Sequence, residues 1–465
     1  MCDIGGGGDT RPDTCAGLKT MLRRLLFHQF GLVYRISVWF SRHFSPLGHF
    51  LLGLLMVSAA FGANTRAATT YQLAALLAGL FCMGLLWSFI GRKSRLGLSV
   101  ERLIPLHGTV DEPMRYQITL RNTGKRTERG LSMMDQLAVN FPDWDEFAAT
   151  TDPTRRNPFD RYVGFHRWQN LMRSKRGASI VERPLPDLPP NQRISLSMEL
   201  TPLRRGRLQF AGVCIFRPEP FGLFRTLHLI PLPKVCCVLP KRYPASQLPS
   251  SGGRSYQRGG VALANTVGES EEFLSLREFR SGDVPRNIHW RSSAKLGRLV
   301  VKEFQDEYFV RSALVLDTFS SHSRLIDFEA AVSVAASMVN LETQRDSLLD
   351  LMFVERQAHC FTAGRGLAGT MELLEVLAGV QPSGDGSFEH LAQTVMQRAD
   401  HLSSVVCVLL AWDQARQHLI EHLLAYKMPV AVLLVQEQAP DWQTKPNLFL
   451  RHLHPSQIAT DLQWN

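Results

Sequence analysis

The sequence predicts a multi-domain membrane protein built from a transmembrane helical hairpin, a β-sandwich-like domain and a C-terminal α/β domain. Three observations predict it. Residues 43–65 and 67–91 contain no Asp, Glu, Lys or Arg, and each run exceeds the roughly 20 apolar residues that cross a bilayer as helix. Residues 98–137 then alternate polar and apolar, with Asn-Thr-Gly as a tight turn, the pattern of paired strands. From Ser312 the runs ALVLD, LLDLMFV, VVCVLLA and VAVLLV alternate with helix-length segments, which suits buried parallel strands.

A chain of 465 residues has room for two or three domains. Residues 1–18 are Gly-rich and polar and predict disorder. Residues 19–45 mix Arg with Leu, Phe and Trp39 at helical spacing. They predict a basic amphipathic helix on the inner leaflet, a cytosolic packing helix being the plainer reading. The hairpin occupies 46–91. Arg23, Arg24, Arg35 and Arg42 precede it and Arg92, Lys93 and Arg95 follow, while the connecting turn holds only Arg66. The positive-inside rule therefore places both termini in the cytoplasm of a multi-pass inner-membrane protein, with the lipid bilayer as its first partner.

The sandwich is expected over 96–248, with strands near 193–200, 208–216 and 235–239. It is interrupted by an insert at 143–177 in which Arg and Lys interleave with Tyr162, Phe165, His166 and Trp168. Such a mixture suits single-stranded nucleic acid over the 155–176 stretch, a lipid or protein surface, or a loop with an aromatic anchor, which is the simplest of these readings. Residues 250–263 are rich in Gly and Ser and read as a flexible connection. The α/β domain fills 305–465, with helices expected at 327–345, 366–380, 388–399 and 414–426. The eight cysteines show no CxxC pair and no framework spacing, so they read as reduced packing residues. A formal charge of +10 suits nucleic acid, but part of the excess is the juxtamembrane set, which suits anionic lipid.

The densest cluster of charge, turns and rings lies in 264–304, chiefly 268–301. Glu269, Glu271 and Glu272 lead into an alternation broken by Ser281-Gly282-Asp283. Asp283 stands where an N-cap would, Pro285 near a first turn and Gly297 as a closing C′ glycine. On such a helix His289 and Ser293 share one face, and Arg286 and Trp290 another. Functionally, Arg277, Arg280, Asp283, Arg286, His289 and Lys295 form a polar cluster for a partner. The structural reading is that Asp283 caps the helix while Ile288 and Trp290 anchor it in the core.

The run LREFRSGDVPRNIHWRSSAKLGRLVVKEF resembles the signature of the bacterial domain-of-unknown-function family 58. Arg277, Gly282, Asp283, Arg286, Ile288, His289, Trp290, Ser293, Ala294 and Glu303 fall on that pattern, Phe279 replaces another aromatic, and Lys295 stands where Arg is frequent. RRGRLQFAGVCIFRPEPFGLFR fits the same family through Arg205, Gly206, Pro220, Phe221, Gly222 and Leu223. The resemblance implies a von Willebrand factor A-like C-terminal domain, whose adhesion-type site holds Mg²⁺ through oxygen ligands. Asp317 and Ser321 match that motif, Phe319 replaces its middle Ser and cannot bind a metal, and Ser387 and Asp413 stand near its remaining positions. The implied site is thus degenerate.

The resemblance also implies a partner, since such proteins are commonly paired with MoxR-type AAA+ ATPases thought to mature other proteins. No GxSxG, HExxH or Walker A stretch is present, and GRGLAGT at 364–370 lacks the Lys. The expected function is therefore a non-enzymatic, membrane-anchored interaction or assembly factor acting on a client protein. The alternatives are a membrane-associated hydrolase using Asp283 and His289, with Glu271 or Glu303, and nucleic-acid binding through the insert.

Overall fold

The structure, a computed structural model, describes residues 13–62, 68–92, 96–138, 141–149, 157–248, 273–304, 311–319, 325–343, 348–355, 357–363, 367–383, 388–440 and 448–464. The chain divides into two compact units, Met1–Leu239 and Pro240–Asn465.

The first unit opens with helices α1 (Asp13–His43), α2 (Pro46–Gly62) and α3 (Ala68–Arg92), the last two packed side by side. α1 already runs through 13–18, which corrects the disorder expected there. Ala16, Leu18 and Lys19 are good helix formers and carry the helix back to Asp13, residues 1–12 lying outside the described residues. Ser45 separates α1 from α2 and caps the latter, its Oγ accepting from the Gly48 amide at 2.9 Å with Pro46 in the first turn. Among the described residues one segment, Thr69–Ser88, is long and apolar enough to cross a membrane. α2 has 17 residues, about 25 Å of helix, the short end of what spans a hydrocarbon core of roughly 30 Å.

Strands β1 (Leu98–Leu103), β2 (His107–Thr109), β3 (Met114–Asn122) and β4 (Ser132–Leu137) lead into three short helices, α4 (Trp144–Ala149), α5 (Pro158–Val163) and α6 (Phe165–Arg176). β5 (Ala178–Ile180), β6 (Arg183–Pro184), β7 (Arg193–Pro202), β8 (Gly206–Pro218) and β9 (Arg225–Leu239) complete two sheets, ordered β1-β3-β7-β5 and β2-β9-β8-β4-β6. β3 alternates buried and exposed along its length, as a strand with one wet face must. Its Ile118 and Leu120, with Met198 and Leu200 of β7, share one core with Met133, Phe210, Val213 and Ile215 of the other sheet. Within that core Asp135 is held by the Arg102 guanidinium and by the Tyr116 hydroxyl at 2.6 Å. Arg102 also donates to the Leu232 carbonyl at 2.9 Å and to the Gly212 carbonyl at 3.2 Å, which offsets part of the cost of burying the pair.

The β8–β9 turn, PEPFGLF, docks the helices. The Ser45 amide donates to the Leu223 carbonyl at 3.0 Å, and the Ser45 hydroxyl donates to the Gly222 carbonyl. Glu219 Oε1 accepts from the Leu223 and Phe224 amides at 3.0 and 3.1 Å, closing the turn. Phe44, Phe81, Leu223 and Phe224 form one apolar cluster over it. A Cβ on Gly48 would lie 2.2 Å from the Leu223 carbonyl oxygen, so this close approach requires glycine.

In the second unit, β10 (Phe273–Glu278) pairs antiparallel with β11 (Val300–Phe304), and α7 (Trp290–Leu296) lies between them in sequence. Then follow β12 (Arg311–Leu316), α8 (Leu325–Thr343), β13 (Leu348–Val354), β14 (Ala358–Ala363), α9 (Leu367–Gly379), α10 (Phe388–Met396), β15 (Ser404–Leu409), α11 (Gln414–Ala425), β16 (Val430–Val435), β17 (Leu448–Leu453) and α12 (Ile458–Asp461). The sheet runs β14-β13-β12-β15-β16-β17, parallel except for the β13–β14 hairpin. α10 and α11 cover one face through Phe388, Leu391, Leu419 and Ile420, and α8 with α9 packs on the other. The expected flexible connection at 250–263 lies outside the described residues.

Candidate functional site

The signature block is built on the β10–β11 hairpin, whose register sets Arg277 opposite Val301. Gly282, at φ +108°, lets the chain turn back after β10. That turn brings Asp283 under Arg277. The guanidinium grips the carboxylate with both arms, Nη1 to Oδ2 at 2.8 Å and Nη2 to Oδ1 at 2.6 Å, and the Arg280 amide adds a third donor at 2.7 Å. The Arg277 hydrogen bonds, followed by that from the Arg280 amide, hold the Asp283 carboxyl down at about 2.

Asp283 therefore does not cap a helix. Residues Pro285–Asn287 make a single 3₁₀ turn, and α7 starts only at Trp290, with His289 at its N-cap position. Arg286 lies outside α7, so the face it was expected to share with Trp290 does not form. His289 Nδ1 pairs with Ser292 Oγ at 2.7 Å, and the Ser293 amide donates to the His289 carbonyl at 3.0 Å. Ser293 is buried and pins α7 to β11: its Oγ donates to the His289 carbonyl at 3.1 Å and accepts from the Val300 amide at 2.9 Å. Gly297 closes α7 at φ +65°, the C′ role its position suggests.

Ile288 is buried, as an anchor would be, but Trp290 is 66% exposed. A short helix pinned by Ser293 turns position 290 outward, and the ring has no core to enter. Val284, Leu296 and Leu299 are exposed as well. Arg286, Arg291 and Lys295 lie on the same block, all exposed and with no acidic partner among the described residues, while the exposed Arg280 is close enough to Asp283 for its charge to help depress that carboxyl. Between residues 273 and 304 there are seven Lys and Arg against three Asp and Glu; of the three, Asp283 is engaged by Arg277 and Glu278 lies 3.7 Å from Arg298. Glu269, Glu271 and Glu272 fall outside the described residues. Asp283 and His289 do not meet; each is engaged by other groups.

The basic aromatic insert is the helix group α4–α6, not a loop. Trp168 and Phe147 are 3% and 2% exposed, packed with Met172 against Phe27, Phe30 and Tyr34 of α1. The signal was legible in FHRWQNLMRSKR, where Trp168, Leu171 and Met172 recur at helical spacing.

At the carboxyl end of the α/β sheet, Asp317 is fully buried directly after β12. Its Oδ1 accepts from the Phe319 amide at 3.0 Å; its Oδ2 accepts from the Leu410 amide at 3.0 Å and from Arg416 Nε at 2.6 Å. Asp413 caps α11 by accepting from the Arg416 amide at 3.0 Å, and its other oxygen holds Arg416 Nη1. The structure thus brings Asp317 and Asp413 together through an arginine that sequence reading missed, since Asp317 and Arg416 are 99 positions apart. Ser321 and Ser387 lie outside the described residues. Among the described residues, no three His, Cys, Asp or Glu side chains gather as a metal site.

Comparison with known proteins gives distant relatives. Over 273 residues, 57% of this chain, it is 24% identical to the "Uncharacterized protein YeaD" of Bacillus subtilis (strain 168), and the match spans 65% of that relative's length. Among solved structures, similarities include the CARDB domain of the PF1109 protein from Pyrococcus furiosus, at 11% identity and TM-score 0.17 over 30% of this chain and 87% of that one. Another is an aerotolerance-related membrane protein from Bacteroides fragilis, at 11% identity and TM-score 0.21 over 30% of this chain and 77% of that one. At these scores the likeness assigns neither fold nor ligand. The specific finding lies in the second unit, where residues 275–440 match the family model described as "Protein of unknown function DUF58".

Proposed function

We propose that this chain is a membrane-anchored protein-interaction factor, held by α2 and α3 with both termini on the cytoplasmic side, whose 273–304 block docks an acidic partner. A MoxR-type AAA+ ATPase is the partner the signature implies, and it would supply the ATP hydrolysis for which this chain has no Walker A stretch. Together they would mature or assemble a client protein. The observation that carries the reading is the exposed Trp290 with Val284, Leu296 and Leu299, set among cations on a block that Arg277, Asp283 and Ser293 make rigid. Exposed rings rimmed by unpaired charge are what an interface core and its rim require. Because the block is pre-formed, binding costs little ordering.

The test is affinity purification from native membranes with ATP present, using the full chain and its Trp290→Ala variant. An AAA+ ATPase retained by the wild type and lost with Trp290→Ala is the expected result. Equal retention by both, or no AAA+ protein at all, would overturn the reading.

The His289–Ser292 pair favours a second reading, a hydrolase with Ser292 as nucleophile and His289 as base. Against it, among the described residues no carboxylate orients the other nitrogen of His289, and Asp283 is committed to Arg277. Turnover of an ester or peptide by the purified chain, abolished in Ser292→Ala, would favour it.

A further inference from the structure

The order of the six-stranded sheet reverses at β12: β13 is added on one side and β15 on the other. Open α/β sheets take their ligands in the crevice beyond the carboxyl ends at such a reversal. Here the crevice is filled from within. Arg416, in the first turn of α11, is 5% exposed. It joins Asp317 at the end of β12 to Asp413 just past β15. Its guanidinium also lies over the Phe388 ring, 4.7 Å from the centroid, and Phe388 meets Phe319 edge-on.

An adhesion-type divalent ion does not fit this arrangement. Mg²⁺ demands near-octahedral oxygen ligation at roughly 2.1 Å, whereas both Asp317 oxygens are turned toward N–H donors and a full positive charge already lies between the two carboxylates. Phe319 occupies a ligand position with a ring. Arginine suits the place because it stays charged and its planar fork reaches both acids at once. Burial by itself disfavours that charge, but Asp317 and then Asp413 more than offset it, so the Arg416 pKa stands above the ordinary guanidinium value.

We infer that Arg416 is a built-in cation that takes the place of a divalent metal at the crevice, so that this unit folds without one, and that removing the guanidinium would expose a metal-binding carboxylate pair. The inference does not rest on the docking role of residues 273–304.

The full chain in detergent is titrated with Mn²⁺ by electron paramagnetic resonance, and its thermal unfolding is followed with Mn²⁺ or with EDTA. The wild type is expected to show no saturable Mn²⁺ binding and the same midpoint under both conditions. Arg416→Ala is expected to unfold earlier and to bind one Mn²⁺ at least tenfold more tightly than the wild type. Mn²⁺ should restore part of its midpoint, and Asp317→Asn added to that variant should abolish the gain. Arg416→Lys keeps a charge without the fork, so its midpoint should fall between the two and ignore Mn²⁺. Saturable Mn²⁺ binding to the wild type that Asp317→Asn removes would overturn the inference, and so would a folded Arg416→Ala with no gain in Mn²⁺ affinity. The wild-type titration decides the first half whether or not the alanine variant folds.

Discussion

The insert around Trp168 and the signature block around Trp290 have the same ingredients, rings interleaved with cations, and opposite fates. Trp168 is 3% exposed and Trp290 66%. In the insert two of the cations are spent locally: Arg167 lies over the Phe147 ring at 4.4 Å, and Lys175 pairs with Glu146. In the block Arg286, Arg291 and Lys295 are exposed, with no acidic partner among the described residues. Composition does not separate the two. A covering surface does, because Phe27, Phe30 and Tyr34 recur on one face of α1 and close over α4 and α6, while among the described residues the 3₁₀ segment and seven-residue helix of the block pack on β11 of their own hairpin. A buried ring among spent charges is architecture; an exposed ring among unspent ones is an invitation.

The sharpest way to break this comparison is to truncate both rings. Trp168→Ala should cost about 3–5 kcal/mol of stability, as large-to-small changes in a packed core do. Trp290→Ala should stay within about 0.5 kcal/mol yet lose its partner in the purification described above. Chemical unfolding of the detergent-solubilised chain measures the first quantity. Equal destabilisation by the two changes would mean that Trp290 is an anchor after all, and the contrast would vanish.

A finer version uses two glycines of matched backbone. Gly164, between α5 and α6, and Gly297, after α7, are both left-handed, with φ/ψ of 73/14° and 65/15°. Alanine at either pays the same conformational cost of about 1 kcal/mol. At Gly164 the new Cβ would also lie 2.9 Å from Phe147 Cζ and from Arg167 Nη2, whereas at Gly297 nothing lies within 4 Å. Gly164→Ala should therefore be the more costly by about 1–2 kcal/mol of overpacking, read from the two unfolding curves. A difference near zero would show that the insert is as loosely packed as the block.

Much of the frame was legible in the residues, and the reasons are local. MRYQITLRN alternates strictly because one face of β3 is wet, and VAVLLV is uniformly apolar because β16 is buried on both faces. α11 spans Gln414–Ala425 against an expected 414–426. What stayed hidden needed distance or direction. Asp283 has the chemistry of an N-cap, but its oxygens go to Arg277 across the Gly282 turn, six residues back. Arg416 reads as an ordinary basic helix residue until Asp317 is brought to it. Trp290 follows the buried Ile288 and reads as its companion; only the Ser293 pin, which fixes how α7 rolls, turns it out.

Acid probes the same contrast through Asp283. Its folded pKa, near 2, lies below the usual Asp value of about 3.9. A carboxylate depressed on folding contributes stability that is fully present above the unfolded value and is lost as pH falls through the folded one. The block should therefore keep its turn down to about pH 4 and loosen between there and pH 2, with Asp283→Asn loosened at every pH and the two converging at the acid end. Carboxyl-carbon NMR of Asp283, together with amide protection across β10 and β11, would follow it. An Asp283 titration midpoint near 4 would show that the Arg277 grip is not kept in solution, and the rigidity assumed for the docking surface would fail with it.

The smallest effect expected is also the most selective. Reversing the exposed charges Arg291 and Lys295 to Glu should leave unfolding within about 0.5 kcal/mol, because surface pairs and isolated surface charges weigh little. Capture of the partner should fall about tenfold at low salt and by less at high salt, since rim charges act through long-range attraction that ions screen. Reversing Arg176, an exposed cation at the end of the insert, removes as much positive charge per site from the same chain and should leave capture unchanged. A net-charge effect would give the single reversal about half the logarithmic loss of the double one, whereas a docking surface leaves it with none. A loss at Arg176 in that proportion would mean that attraction to the chain as a whole, and not the face around Trp290, brings the partner in.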